Sequence, residues 1–515
     1  MITEDQTAVI ELLSASSTHG GAGVERIETH ASVVFLVGPR AWKLKRAVRY
    51  DYLDFSTAER RRVLCEAEVR LNRRTAPALY LGVVAVTRSE DGALSLGGEG
   101  VPVDWVIEMT RFDQDDLLDR LAARGALDLA LMRPLADAVV QLHRQADARR
   151  DHGGAQGMAW VIEGNARDLT SADAGILDAS ARDAVVVESR AALARHQPLL
   201  DARRIGGDVR QCHGDLHLRN IVLCDGVPTL FDGVEFNDEI ACIDVLYDLA
   251  FLLMDLWKRR LPAHANAVWN RYLAQTADLG GVSLLPLFLS CRAAVRAKTS
   301  LAGAGLQNEP RRRAELHEAS REYLQLALQL LRARPPCLIA VGGLSGSGKS
   351  SLARALAPSV GAAPGAVVLR SDELRKRLCG VQELTRLGPE GYTPEMSQRV
   401  YATMAAQAAD VLRAGHAAIA DAVYARAEDR TAIEQVAARA SVPFIGFWLD
   451  ARSSTLIDRV ERRMEDASDA DASVVGMQLA ESTGPIAWIR IDTEPGLDHA
   501  VEQARRHSSG LVPSS

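Results

Sequence analysis

The stretch Gly343-Leu344-Ser345-Gly346-Ser347-Gly348-Lys349-Ser350 constrains this chain more than any other feature. It satisfies G-x-x-x-x-G-K-[ST] at every position, follows an apolar run beginning at Cys337, and precedes a helical pattern from Ser351 to Ala357. Only a strand–loop–helix unit accommodates that order. Gly343, Gly346 and Gly348 let the N–H groups around Ser345 and Ser347 converge on phosphate oxygens, and the helix N-terminus adds a favourable dipole. Lys349 then reaches the β/γ-phosphates and the Ser350 hydroxyl serves Mg²⁺. Downstream, short apolar runs at 338–342, 366–370, 417–421, 443–449 and 486–491 alternate with helical spacing, which predicts parallel βαβ units.

In such sheets ligands sit at the carboxyl ends of the strands. Val367-Val368-Leu369-Arg370-Ser371-Asp372 delivers Asp372 there, placed to orient or deprotonate an acceptor hydroxyl, with Ser371 as the expected helix N-cap. Ala418-Ile419-Ala420-Asp421 delivers a second carboxylate, suited to Mg²⁺ or its waters. Arg459 and Arg463, at i and i+4, are expected on one face of a mobile helix that closes over a transferring phosphoryl group. Together these residues resemble the P-loop small kinases, a group that includes gluconate kinase, chloramphenicol phosphotransferase, zeta toxins and polynucleotide 5′-hydroxyl kinases. The resemblance covers roughly residues 337–500. It implies hydroxyl phosphorylation and, more loosely, acceptor-binding roles for Arg399, Tyr401 and Arg430.

A second set of signals lies upstream. His213-Gly214-Asp215-Leu216-His217-Leu218-Arg219-Asn220 is followed by Phe231-Asp232-Gly233. Phosphoryl transfer needs a base for the acceptor and oxygen ligands for Mg²⁺; Asp215 fits the first role, Asn220 and Asp232 the second. The run resembles the catalytic and metal loops of aminoglycoside phosphotransferases and choline-kinase-like enzymes. Lys43 and Lys45 share one strand face, and either is able to hold the α/β-phosphates. Lys43 paired with Glu68 is preferred, Lys45 and Glu66 being the competing choices because the register is open. Val106-Ile107-Glu108-Met109 reads as the segment joining two lobes, with the backbone of Glu108 and Met109 meeting adenine. No G-x-G-x-x-G joins the first strands, so Ser32, in a short turn, is the candidate phosphate contact. Asp244 and Asp248 read as capping and loop-anchoring residues, and His143 and His217 as packed or hydrogen-bonded. Arg292 and Arg296 lie one helical turn apart; facing a cleft, they imply an anionic acceptor.

Arg332-Ala333-Arg334-Pro335-Pro336 marks the boundary, since two prolines end a helix. The expected division is a kinase-like domain at 1–331, a linker at 332–336, a P-loop domain at 337–500 and a tag-like tail at 501–515. The fold class is α/β and α+β: an N-terminal two-lobed kinase-like fold, then a P-loop NTPase fold with a parallel sheet. This layout resembles bacterial fusions of an aminoglycoside-phosphotransferase-like domain with a P-loop kinase. It implies a bifunctional ATP- and Mg²⁺-dependent phosphotransferase acting on hydroxyls of small polar metabolites. Two alternatives stand beside it: one domain is a non-catalytic module controlling the other, or the C-terminal domain is a nucleic-acid end kinase or nucleotide-sugar kinase toxin.

Composition narrows the partners. With 60 Lys+Arg against 67 Asp+Glu the 515-residue chain carries −7, and aromatics are 5%, which argues against a nucleic-acid coat. The seven cysteines form no CxxC pair or zinc spacing and read as reduced, packed thiols. Acidic residues at Glu4 and Asp5 argue against a signal peptide, and the run Val245 to Trp257 is broken by Asp248 and Asp255, so a cytoplasmic, membrane-free protein is expected.

Overall fold

The computed structural model describes residues 2–50, 52–171, 175–332, 334–462 and 466–508. The chain separates into two compact units, one made of residues 1–163 and 193–255, the other of residues 164–192 and 256–515. This division does not fall at the 332–336 break. The helical stretch before the prolines groups with the segment after them.

The first unit is built on a six-stranded antiparallel sheet. In spatial order its strands are Val24–Glu28, Ser32–Val37, Arg40–Lys45, Val101–Thr110, Tyr80–Arg88 and Leu94–Leu96. The strand Tyr80–Arg88 is absent from the expectations above. Its Gly82 and its flanking register shift break the apolar alternation that reveals a strand. Helix Ala58–Asn72 packs on this sheet, started by Thr57, whose side chain accepts the Arg60 N–H. Cys65 and Val69 of the helix enter a core with Leu36, Ala41, Ile107 and Met109. In the rest of the unit, two-stranded ladders frame the His213–Asn220 loop. Ile221–Cys224 pairs with Val227–Leu230, and Val209–Gln211 pairs with Cys242–Asp244.

The second unit contains a five-stranded parallel sheet. Its spatial order is Val367–Arg370, Ala418–Asp421, Leu338–Gly343, Phe444–Asp450 and Ile489–Asp492. Leu338–Gly343 is buried at every position, as a central strand covered on both faces must be. Ile339 and Val341 join a core with Leu352, Leu356, Ile419 and Phe447. Ala500 and Ala504 belong to the same core and lie on helix Leu497–Ser508, so the fold continues through 508 rather than stopping at 500. Residues 509–515 of the expected tail lie outside the described residues.

The edge strand Val367–Arg370 is capped by the helix Pro262–Thr276. Asn270 Oδ1 accepts the Val368 N–H at 2.7 Å, and its Nδ2 donates to Ala366 O at 3.1 Å. Buried Asn266 donates to Pro364 O and Ala366 O, each at 3.1 Å. Two asparagine amides thus satisfy backbone groups that an open sheet edge leaves available for aggregation. Asn270→Ala leaves Val368 N–H and one bond of Ala366 O unmade, which costs about 1–3 kcal/mol. Urea unfolding of the full chain, followed as a lowered transition midpoint at unchanged slope, checks this. Among the described residues, no helix is long and apolar enough to cross a membrane.

Candidate active sites

In the first unit the strand Arg40–Lys45 projects Lys43 and Lys45 to the same side, against Glu68 of helix Ala58–Asn72. Lys43 Nζ lies 2.7 Å from Glu68 Oε1 and 2.5 Å from Asp232 Oδ1. Lys45 Nζ pairs with the other Glu68 oxygen and with Glu235 Oε1, the latter at 2.5 Å. Glu66 faces outward and bonds Arg62 at 2.7 Å, so it takes no part. Burial pushes the Glu68 carboxyl up, but the two ammonium groups outweigh it and hold the pKa at about 2. Burial also works against the Lys43 ammonium, yet Asp232 and Glu68 raise its pKa well above the ordinary lysine range.

Glu235 is a site residue absent from the expectations above. Burial pushes its carboxyl up to about 7, Glu68 adding to the shift and Lys45 opposing it. Its only sequence signal is the position three residues after Asp232. A raised pKa in the folded state means that the stabilising contribution is complete below the ordinary value of 4.5 and lost as pH rises through 7. Glu68, shifted downward, acts only in the acid range below 4.5. Glu235→Gln therefore gains stability relative to wild type between about pH 5 and about pH 8. Paired urea midpoints at the two ends of that range check the sign.

Asp232 adopts φ 60°, a left-handed conformation costly for a residue with a Cβ. Its neighbours supply what holds it: the Asp232 N–H donates to the Tyr80 hydroxyl at 3.1 Å and the Gly233 N–H to Asn72 Oδ1 at 2.7 Å. Asn72 Nδ2 in turn donates to Glu68 O, so one buried amide ties the Asp232 loop to the glutamate of the lysine pair. The Asp215–Asn220 loop runs alongside. Phe231 N–H donates to Asn220 O at 3.0 Å, Phe231 O is 2.9 Å from His213 Nε2, and Val234 N–H donates to His213 O at 2.8 Å. Asn220 Nδ2 donates to Asp215 Oδ2 at 3.0 Å, and His217 Nε2 lies 3.4 Å from the same oxygen. Beneath the loop, Asp248 accepts the N–H groups of His213 and Gly214 and meets His143 Nε2 at 3.0 Å. His143, Cys212 and Asp248 approach one another closely enough to suggest a metal cluster, but Asp248 already spends both oxygens on this anchoring. Asp244 is bound by Arg203 and accepts the Leu246 N–H, a capping arrangement. The carboxylate of Asp232 and the amide oxygen of Asn220 are hard donors, the kind Mg²⁺ takes.

Two expectations for this unit need correction. Glu108 and Met109 do not join lobes. They lie inside the strand Val101–Thr110, in register with Trp42 and Ala41 on one side and with Gly82 and Tyr80 on the other, so the sheet occupies their backbone groups. Ser32 opens its strand in register with Lys45, its N–H donating to Thr29 Oγ1. In the second unit, Arg292 is buried and Arg296 packs over the Tyr323 ring, so the pair does not present a shared cationic face.

In the second unit the loop from Gly343 to Lys349 leads from strand Leu338–Gly343 into helix Lys349–Leu356, which starts two residues earlier than expected. Gly343 has φ 139°, and a Cβ there would sit 2.7 Å from Leu449 O and from Ser347 Oγ. Lys349 Nζ donates to Leu344 O at 3.0 Å, and the Ser345 N–H donates to Gln478 Oε1 at 2.8 Å. Ser350 occupies the first turn of the helix. Asp421 ends its strand beside the loop, in register with Val341, and Ala422 N–H and Gly343 N–H stitch the two segments together. Its Oδ2 is 3.4 Å from the buried Arg370 guanidinium, which also binds Glu373 at 2.7 Å and Asp466 at 3.0 Å. Arg370 is a further site residue absent from the expectations. Asp372 lies in the first turn of helix Ser371–Leu378, half-buried, but the N-cap is Arg370 rather than Ser371.

The expected arginine lid takes another form. Arg459, on helix Ser453–Glu461, donates to Thr493 Oγ1 and to Thr493 O at 2.6 Å, anchoring the end of the last strand. Arg463 lies outside the described residues. Arg430 spends its guanidinium on the carbonyls of Tyr424, Ala425, Thr483 and Pro485. The Tyr401 hydroxyl accepts the Tyr424 N–H, and Arg399 is exposed. Arg430 and Tyr401 therefore brace loops and do not line an acceptor site.

Residues 30–285 match the model of the phosphotransferase enzyme family, and residues 338–485 match an AAA domain model. Uncharacterized proteins of Mycobacterium bovis and Mycobacterium tuberculosis are 29% identical over 484 residues, spanning 93% of this chain and 94% of theirs. Among solved structures, a choline/ethanolamine kinase family protein from Mesorhizobium loti is 13% identical, covering 62% of this chain and 99% of its own at TM-score 0.37. A gluconokinase from Sinorhizobium meliloti is 22% identical, covering 35% and 95% at TM-score 0.26.

Proposed function

From a chain that fuses a phosphotransferase-family domain to a P-loop domain, we propose a bifunctional phosphotransferase that uses ATP and Mg²⁺ to phosphorylate hydroxyls of small polar metabolites. The observation that carries this reading is the contact of Lys43 with both Glu68 and Asp232, on a loop pinned to the one bearing Asp215. A lysine oriented by a buried carboxylate, an acidic metal-binding residue and a half-exposed aspartate are the parts that phosphoryl transfer needs.

In the first site Lys43 holds the phosphate oxygens and Glu68 fixes its Nζ. Asp215 takes the proton of the acceptor hydroxyl as the acceptor oxygen bonds to the γ-phosphorus. The bond from that phosphorus to the β,γ-bridging oxygen breaks, and ADP leaves. Asp232 and Asn220 would hold Mg²⁺, which when bound would supply charge neutralisation on the phosphates. In the second site Lys349, Ser350 and the loop N–H groups bind the nucleotide, Asp421 serves the cation, and Asp372 is the acceptor-orienting carboxylate.

A small acceptor is favoured over nucleic acid for the second site. Its basic side chains Arg370, Lys376 and Arg386 are each paired, with Asp466, Asp469 and Asp471 respectively, and do not add up to a backbone-binding groove. Incubating the full chain with ATP, Mg²⁺ and a metabolite library, and reading ATP-dependent mass gain of one phosphate, tests the proposal. Products lost with Asp215→Asn and others lost with Lys349→Ala are expected. Products insensitive to both substitutions, or none at all, would overturn it.

A further inference from the structure

One N–H of the phosphate loop already has a side-chain acceptor from a distant part of the chain. Gln478, which takes the Ser345 N–H at 2.8 Å, lies 133 positions downstream on helix Ala472–Ala480. That helix is seated on the loop: Val475 is fully buried with Leu456 and Val460, and Leu344 of the loop packs on the same cluster. Its start is fastened by Asp471, which accepts the Ser473 and Val474 N–H groups. Asp469, just before, binds Lys376, the Leu387 N–H and the Tyr392 hydroxyl. The loop meanwhile folds on itself, with Lys349 Nζ on Leu344 O and the buried Ser347 Oγ without a hydrogen-bond partner.

We propose that Gln478 is the residue by which this helix reads the phosphate chain of a nucleotide, its amide oxygen and a phosphate oxygen competing for the Ser345 N–H. A phosphate oxygen is charged and the stronger acceptor, so it displaces the neutral amide. Nucleotide binding is thereby coupled to release of the helix Ala472–Ala480. The inference rests on the reading of the loop as a nucleotide site.

The test uses the full chain with Lys43→Ala, which silences the first site, titrated with a non-hydrolysable ATP analogue and Mg²⁺. Removing the competitor with Gln478→Ala tightens binding about fivefold, the equivalent of one ordinary hydrogen bond. Gln478→Glu sets a carboxylate against the phosphates and weakens binding by about tenfold or more. Unchanged or weaker binding by Gln478→Ala overturns the inference alone. Binding that Lys349→Ala leaves intact removes the loop itself as the site, and the inference with it. Should a variant fold poorly, hydrogen exchange of the wild-type chain decides: amides of 472–480 exchange faster when the analogue binds, and slower or unaltered exchange sinks the proposal.

Discussion

Asp215→Asn lowers phosphoryl transfer by the first unit by about 10²–10⁴-fold, the loss that follows removal of a general base. The substitution keeps the size of the side chain and retains an oxygen able to accept from Asn220 Nδ2. Anchoring of the loop through Asp248 and Phe231 does not involve the Asp215 side chain. Nucleotide affinity should stay near wild type, because Lys43, Glu68 and Asp232 are untouched. The measurement is the rate constant of transfer and, separately, the nucleotide dissociation constant, both in a Lys349→Ala background. A variant as fast as its parent would assign the proton to another group.

Lys349→Ala lowers turnover by the second unit by about 10²-fold or more, since it removes the loop cation that the proposed mechanism assigns to the phosphates. The flanking fold tolerates it: Lys349 begins an eight-residue helix whose buried side is Leu352, Ala353 and Leu356. The full chain carrying Asp215→Asn is the proper vehicle. A fragment starting at 335 lacks Asn266 and Asn270 and exposes the edge of the sheet. Turnover that survives in the double variant would remove the loop from the mechanism.

Chain separation governs what is legible in the amino-acid sequence. Strands of the P-loop sheet were legible to within three residues at each end, because a strand buried on both faces is a continuous apolar run. Tyr80–Arg88 was not, and its omission displaced Glu108 and Met109: without the sixth strand's neighbour in view, a central strand looks like a connector. The arginines fared worst. Arg459 reads as a phosphate ligand and Arg430 as an acceptor contact, yet the carbonyls of Thr493 and of Thr483 and Pro485, 34 to 55 positions away, occupy them. A long cationic side chain has many reachable partners, and its spacing says nothing about which one it takes.

Residues within one loop were determined by the sequence itself. The Gly343–Ser350 loop and the His213–Asn220 run are each eight residues long, so local backbone geometry brings their functional groups together whatever the rest of the chain does. The tertiary structure decided the partners across distance. Lys43 and Lys45 are two positions apart on one strand face, and alternation cannot separate them. Only packing puts Lys43 on Asp232, 189 positions away, and turns Glu68 inward while Glu66 meets solvent. The same packing brings Gln478 to the loop, because burying Val475 against Leu456 stabilises one placement of its helix, and that placement carries the amide to the Ser345 N–H.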